Sequence, residues 1–142
     1  MGVVVDASVA VKWLGIFETE MYLAQAKTII DQNRRGELSL LVPDLFWAEI
    51  GSALCKAVRR HACNADEARA ALATLEEQSI TTVPTLELMR PALDIALRYG
   101  RSIYDSVYVA LARELTCELI TADEKLANAV AGHLPVKWLG AI

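Results

Sequence analysis

Short apolar or β-branched runs alternate along this chain with longer stretches of helical periodicity. VVV, LSLLV, ITTV, ELIT and VKW predict strands near residues 2–5, 38–42, 80–83, 118–121 and 136–138. Between them, apolar positions recur at helical spacing near 8–14, 19–35, 44–61, 65–78, 85–99, 103–116 and 124–131. Gly36, Pro43, Pro84, Gly100 and Gly132 fall where the periodicity breaks. Asn64 with Glu67, and Ser102 with Asp105, have the spacing of capping boxes. Strands alternating with helices predict an α/β fold, a three-layer α/β/α sandwich with a central, mostly parallel sheet. Right-handed crossovers then start each post-strand helix at the sheet's carboxyl edge, where open α/β sheets bind ligands.

With 142 residues the chain is long enough for one buried core and short for two, so a single domain over 1–142 is expected. It is 54% hydrophobic, with mean hydropathy +0.31. No apolar run nears the roughly 18 residues of a membrane span. The opening valines have no basic flank and meet Asp6 at once, unlike a secretory signal, and Asp6 stands where an N-myristoylation motif has Ser or Thr. Cys55, Cys63 and Cys117 match neither a zinc nor a redox spacing. A cytoplasmic protein with reduced thiols and no membrane association is expected. His61 and His133 have no ligand-spaced companion, which argues against a histidine metal site or a Ser-His-Asp triad. The net charge of −4 argues against broad, nonspecific nucleic-acid binding but leaves room for a local basic track.

Charge changes the picture most where it interrupts the apolar pattern. Asp6 ends the first predicted strand, and Asp123 follows ELIT. Glu49 lies in the second turn of the helix after Pro43, and Asp105 in the first turn of IYDSVYVALAREL, a helix running opposite to the strand it feeds. Connectivity therefore brings all four acids to one end of the sheet. Each has a structural alternative: Asp105, Asp123 and Asp6 as helix caps, Glu49 as a solvated helix residue. Taken together, carboxylates at a largely apolar edge repel one another and are costly to bury. Among nearby cations the sequence offers Lys12 and Arg101. A divalent cation would neutralise the group, and an all-oxygen donor set selects Mg²⁺ or Mn²⁺ over zinc. Such a site suits phosphoryl chemistry without a histidine base.

The segments VVVDASVAVKW, VPDLFWAEIGSAL, IYDSVYVALA and LITADEKLA, in this order, resemble the motifs of the PIN-domain ribonucleases, especially the VapC-type toxins of toxin–antitoxin pairs. The resemblance runs from about Val3 to Trp138. It implies that Asp6, Glu49, Asp105 and Asp123 form an acidic metal-binding and catalytic quartet, with Ser8 and Thr121 ordering the site. It also implies Mg²⁺- or Mn²⁺-dependent endonucleolytic cleavage of RNA, a homodimer, and a cognate antitoxin that occupies the active-site groove. Gly51-Ser52 departs from relatives that often carry an Asn shortly after the Glu.

Glu49, Lys56 and Arg60 share one helical stripe, so Lys56 and Arg60 are candidates to lead a phosphate backbone toward the acids. Solvated partners of the helix C-terminus are the alternative. Lys12, one turn after Ser8, is a further candidate phosphate contact. Trp13, Phe46 and Trp47 could stack on bases or pack in the core. Met21 and Tyr22 could form a partner surface or an intramolecular helix face. Phosphoaspartyl chemistry is disfavoured, because DAS lacks the second Asp of a DxD pair. The competing non-enzyme reading is a catalytically silent, PIN-like partner-binding module.

Overall fold

The computed structural model describes residues 1–17, 21–130 and 132–142. Five strands form one sheet: β1 Gly2–Val5, β2 Ser39–Pro43, β3 Ile80–Val83, β4 Glu118–Thr121 and β5 Val136–Trp138. Their order is β3-β2-β1-β4-β5, and every pairing is parallel, so the mostly parallel sheet of the sequence reading is parallel throughout. β1 is central, with Val4 opposite Leu41 on one side and Leu119 on the other. Val3, Val4 and Val5 are all buried, which is why this strand reads as an unbroken apolar run rather than an alternating one.

Seven α-helices among the described residues flank the sheet: α1 Ala7–Ala10, α2 Leu23–Arg34, α3 Leu45–Arg59, α4 Ala65–Glu76, α5 Met89–Tyr99, α6 Ile103–Glu114 and α7 Glu124–Val130. The chain steps outward from β1 to β3, then returns across β1 to β4. Right-handed crossovers in opposite directions place the connecting helices on opposite faces, the three-layer arrangement expected from the sequence.

Local chemistry explains the boundaries. The helix expected over 8–14 divides into α1 and a 3-10 turn, Val11–Leu14, that ends on Gly15 at φ 72°. The helix expected from residue 19 begins at Leu23, because Tyr22 adopts φ 61° and turns its ring edge-on to Trp138, with centroids 5.3 Å apart. Residues 18–20 lie outside the described residues. The stretch expected over 85–99 opens with a 3-10 turn, Thr85–Leu88, before α5, which Gly100 closes at φ 63°. At α4 the capping box is complete, Asn64 and Glu67 each bonding the other's backbone. At α6 only half of it forms, with Ser102 Oγ accepting from Asp105 N at 3.0 Å.

α6 is unusual in burial. Seven consecutive residues, 106 to 112, are enclosed, including Tyr108 and the small residues Ser106, Ala110 and Ala112. A helix apolar around its whole girth belongs inside a domain. It packs against β1, β2 and β4 on one side and α5 on the other. Its first turn therefore reaches the sheet's carboxyl edge on a rigid support.

Candidate functional site

The acids are built into this edge by four different elements. β1 ends at Val5, and Asp6 follows in extended backbone (φ −73°, ψ 150°) as the cap of α1. Its amide continues the sheet by donating to Ile120 O at 3.1 Å. Asp6 is only 9% exposed, and with Ser106 and Thr121 it is one of the buried polar residues of the interior. Thr121 Oγ1 donates to Asp6 Oδ2 at 2.8 Å, and Ser8 N approaches Oδ1 at 3.5 Å. Thr121 Oγ1 in turn accepts from Asp123 N at 3.0 Å, and Ser8 Oγ accepts from Ala122 N at 3.1 Å. Ser8 and Thr121 thus interlock the turns after β1 and β4, each hydroxyl satisfying a backbone amide across or along the edge.

Glu49 comes from the second turn of α3, half-buried. Tyr108 Oη donates to its Oε1 at 2.8 Å. Asp105 enters from the first turn of α6, where Arg101 Nη2 lies 3.6 Å from its Oδ2.

Three of these carboxylates share an electrostatic environment. Burial pushes the Asp6 carboxyl above the ordinary carboxylate range; the hydrogen bonds from Thr121 and Ser8 oppose this, and the Asp105 charge adds to it. Burial also raises Glu49, with the Tyr108 hydrogen bond opposing and the charges of Asp6 and Asp105 adding. The Tyr108 phenol is held in its protonated form by burial, then by the charges of Asp6 and Glu49. Asp123 follows β4, where its Oδ1 accepts from Leu126 N at 3.1 Å and caps α7. The edge therefore brings Asp6, Glu49 and Asp105 within reach of one another's charge, with Asp123 linked to Asp6 through the Thr121 hydroxyl.

The donor set suits a hard cation: carboxylates and hydroxyls, with no His or Cys contributing. Asp6 and Glu49, both raised by desolvation and by neighbouring carboxylate charge, gain most from positive charge. As the side chains stand, no group of three or more His, Cys, Asp or Glu among the described residues is already gathered tightly enough to hold a metal ion. A cavity of about 300 Å³, lined by Trp13, Ile30, Ala71 and Leu75 among others, contains none of the four acids. The acids themselves line the open end of the sheet.

The candidate phosphate contacts are spread more widely. Lys56 and Arg60 are exposed on the Glu49 stripe of α3. A helical rise of about 1.5 Å per residue sets them about 10 and 16 Å along the axis from Glu49. Lys12 is half-buried in the 3-10 turn after α1. The aromatic candidates have internal roles. Trp13 Nε1 donates to Ala26 O at 2.7 Å, Trp47 Nε1 donates to Thr82 Oγ1 at 3.0 Å, and Phe46 is fully buried against Trp47. Sequence reasoning overlooked Tyr108. Its one available signal was the three-residue step from Asp105, which puts both on neighbouring positions of one helix.

The PIN domain family model matches residues 3–131. The VapC ribonuclease Mb0985 of Mycobacterium bovis is 34% identical over 134 residues, covering 94% of this chain and 95% of that protein. The solved structure of PAE2754 from Pyrobaculum aerophilum is similar in fold, with TM-score 0.69 at 20% identity over 99% of this chain and 85% of that one. A toxin–antitoxin complex from Klebsiella pneumoniae contains a chain with TM-score 0.61 at 16% identity, covering 95% of both. A family match across nearly the whole sequence, joined to an acid-lined carboxyl edge on an all-parallel sheet, identifies the chain as a member of the PIN-domain family, in the company of the VapC ribonucleases.

Proposed function

We propose that this protein is a metal-dependent endoribonuclease, the toxin of a toxin–antitoxin pair. The observation that carries the reading is the convergence of Asp6, Glu49 and Asp105 at the carboxyl edge, their charges acting on one another while Thr121, Ser8 and Tyr108 hold them. Likeness to proteins named as VapC ribonucleases supports RNA as substrate.

Asp6, Glu49, Asp105 and Asp123 would hold Mg²⁺ or Mn²⁺, Asp123 with a carboxylate whose Oδ1 also caps α7. When bound, the ion supplies positive charge against the phosphate and lowers the pKa of a coordinated water. The chain's own residues do the rest. Thr121 and Ser8 N fix both oxygens of Asp6, Tyr108 fixes one oxygen of Glu49, and the enclosed body of α6 fixes Asp105. This preorganisation spares the site reorganisation when the phosphodiester arrives. Lys12, Lys56 and Arg60 would steer the RNA backbone through salt-sensitive contacts. A homodimer and an antitoxin partner complete the proposal, supported by the apolar surface that Leu86, Leu93 and Leu97 expose on and beside α5.

The test is cleavage of RNA by the purified protein with Mg²⁺ or Mn²⁺, abolished by chelator. Asp6→Asn should stay folded and lose about 100-fold or more in rate, the scale of removing one preorganised electrostatic group. Full cleavage by both Asp6→Asn and Asp105→Asn would refute it. The competing reading is a catalytically silent, PIN-like partner-binding module. Absence of Mg²⁺ or Mn²⁺ binding in calorimetry, together with tight binding to an antitoxin, would select that reading.

A further inference from the structure

Arg101 is the residue that the acidic site leaves unresolved. It immediately precedes Ser102, the cap of α6. Its Nη2 stands 3.6 Å from Asp105 Oδ2, within ion-pair range but long for a hydrogen bond. Its Nε is enclosed and has no hydrogen-bond partner among the described residues. The side chain as a whole is 25% exposed, so the guanidinium spans the interior and the open edge. A buried charged donor without a partner is costly, and natural structures seldom keep one without a reason. Asp105 cannot satisfy the guanidinium alone, because a guanidinium presents five donors in a planar fork and one long contact uses little of it.

Nε, being enclosed, is closed to an outside ligand, but the Nη2 end reaches the edge beside Asp105, and the two nonbridging oxygens of a phosphodiester match the Nη1/Nη2 side of the fork. We propose that Arg101 is a substrate-binding residue that grips an RNA phosphate beside the acids, and that its pairing with Asp105 is an intramolecular stand-in used when no phosphate is present. The inference rests on the ribonuclease reading. It adds a specific site to it, because Arg101 reaches the acid cluster itself, whereas Lys56 and Arg60 lie two and three turns of α3 away. Geometry also sets a hierarchy between cations here. Lysine at this position would keep the point charge and the attraction to Asp105 but lose the fork.

The experiment compares wild type with Arg101→Ala and Arg101→Lys in three readouts. These are steady-state cleavage of single-stranded RNA with Mn²⁺, anisotropy binding of a fluorescent 2′-O-methyl RNA across a salt series, and thermal unfolding. Arg101→Ala should raise KM and weaken binding by about 10- to 100-fold, the scale of a charge-assisted hydrogen bond. It should also reduce the salt slope by about one phosphate contact. Arg101→Lys should recover the salt slope and the melting temperature but not the full KM. Cleavage and binding unchanged in both variants would overturn the inference while leaving the ribonuclease reading standing. Lost activity that follows lost thermal stability equally in both variants would also overturn it, since Arg101 would then only hold α6. Arg101-dependent binding without cleavage by wild type would support the inference and refute the nuclease. Neither binding nor cleavage by wild type would refute both.

Discussion

Tyr108 of α6 donates its hydroxyl proton to Glu49 of α3 at 2.8 Å, joining two helices across a sequence separation of 59 residues at the edge where the acids gather. The phenol is buried and Glu49 half-buried, and the bond is the main influence holding the Glu49 carboxyl down against desolvation. Tyr108→Phe keeps the ring and removes the donor. Stability should fall by about 1–3 kcal/mol in denaturant unfolding, and the Glu49 carboxyl should titrate at higher pH than in wild type, read by carboxyl-carbon NMR. An unchanged Glu49 titration would show that the hydroxyl does not set its charge.

Thr121 makes a similar link through its own hydroxyl, donating to Asp6 and accepting from Asp123 N. Thr121→Val is close in shape but strands both partners, so it should destabilise the fold by about 1–3 kcal/mol. It should also reduce cleavage although Thr121 makes no proposed contact with RNA. Thr121→Ser restores the hydroxyl and should restore most of both. Urea unfolding and a cleavage assay on the same preparations decide the matter.

The raised Asp6 and Glu49 carboxyls give the metal-free protein a definite pH response. An acid whose folded pKa exceeds its unfolded value holds its proton better in the native state. Its contribution to stability is therefore greatest at low pH and is lost as pH rises from the unfolded value, near 3.8 for Asp6 and 4.5 for Glu49, through the raised folded value. Asp31, Glu37 and Asp44 are lowered, so their contributions have the opposite sign and fade only as pH falls below the ordinary carboxylate range. In chelator, Asp6→Asn should flatten the decline in melting temperature toward neutral pH and melt higher than wild type at pH 7. Thermal scans across pH, with and without chelator, measure both effects. Added Mg²⁺ should reverse the order at neutral pH by stabilising wild type more than the variant.

A control belongs on a helix that supplies none of the four acids. Asn64 and Glu67 form a complete, exposed capping box at α4. Asn64→Ala should cost about 1 kcal/mol without changing the rate of RNA cleavage, assayed well below its melting temperature. A drop in rate would mean that α4 influences the acidic edge.

Much of this architecture is legible in the sequence because its signals are local. The valines of β1, the ELIT of β4 and the glycines and prolines between elements mark the strands, and an α/β alternation leaves few topologies open. The positions of Asp6, Glu49, Asp105 and Asp123 at one edge follow from connectivity alone. What sequence does not reveal is how polar atoms divide their bonds. Asp123 could serve the acid group or cap α7, and only coordinates show its Oδ1 on Leu126 N. Asp105 could complete a capping box, yet its side chain faces Arg101. The helix expected from residue 19 starts late because a tertiary contact, Tyr22 against Trp138, outweighs the local periodicity. Tyr108 read as one more apolar position on a core helix, and its partner lies on another element altogether.

The hydrogen bond from Thr121 to Asp6 also has a meaning in time. It closes a span of 115 residues, joining the first strand to the fourth. During synthesis Asp6 is made 115 residues before the threonine that orients it and before the strand that flanks β1 on one side. An incomplete chain thus carries most of the acids without the scaffold that aims them. If the protein cuts RNA, this order of assembly keeps the nascent polypeptide inert beside the RNA-rich machine that makes it, and activity arrives only once β4 and Thr121 are in place.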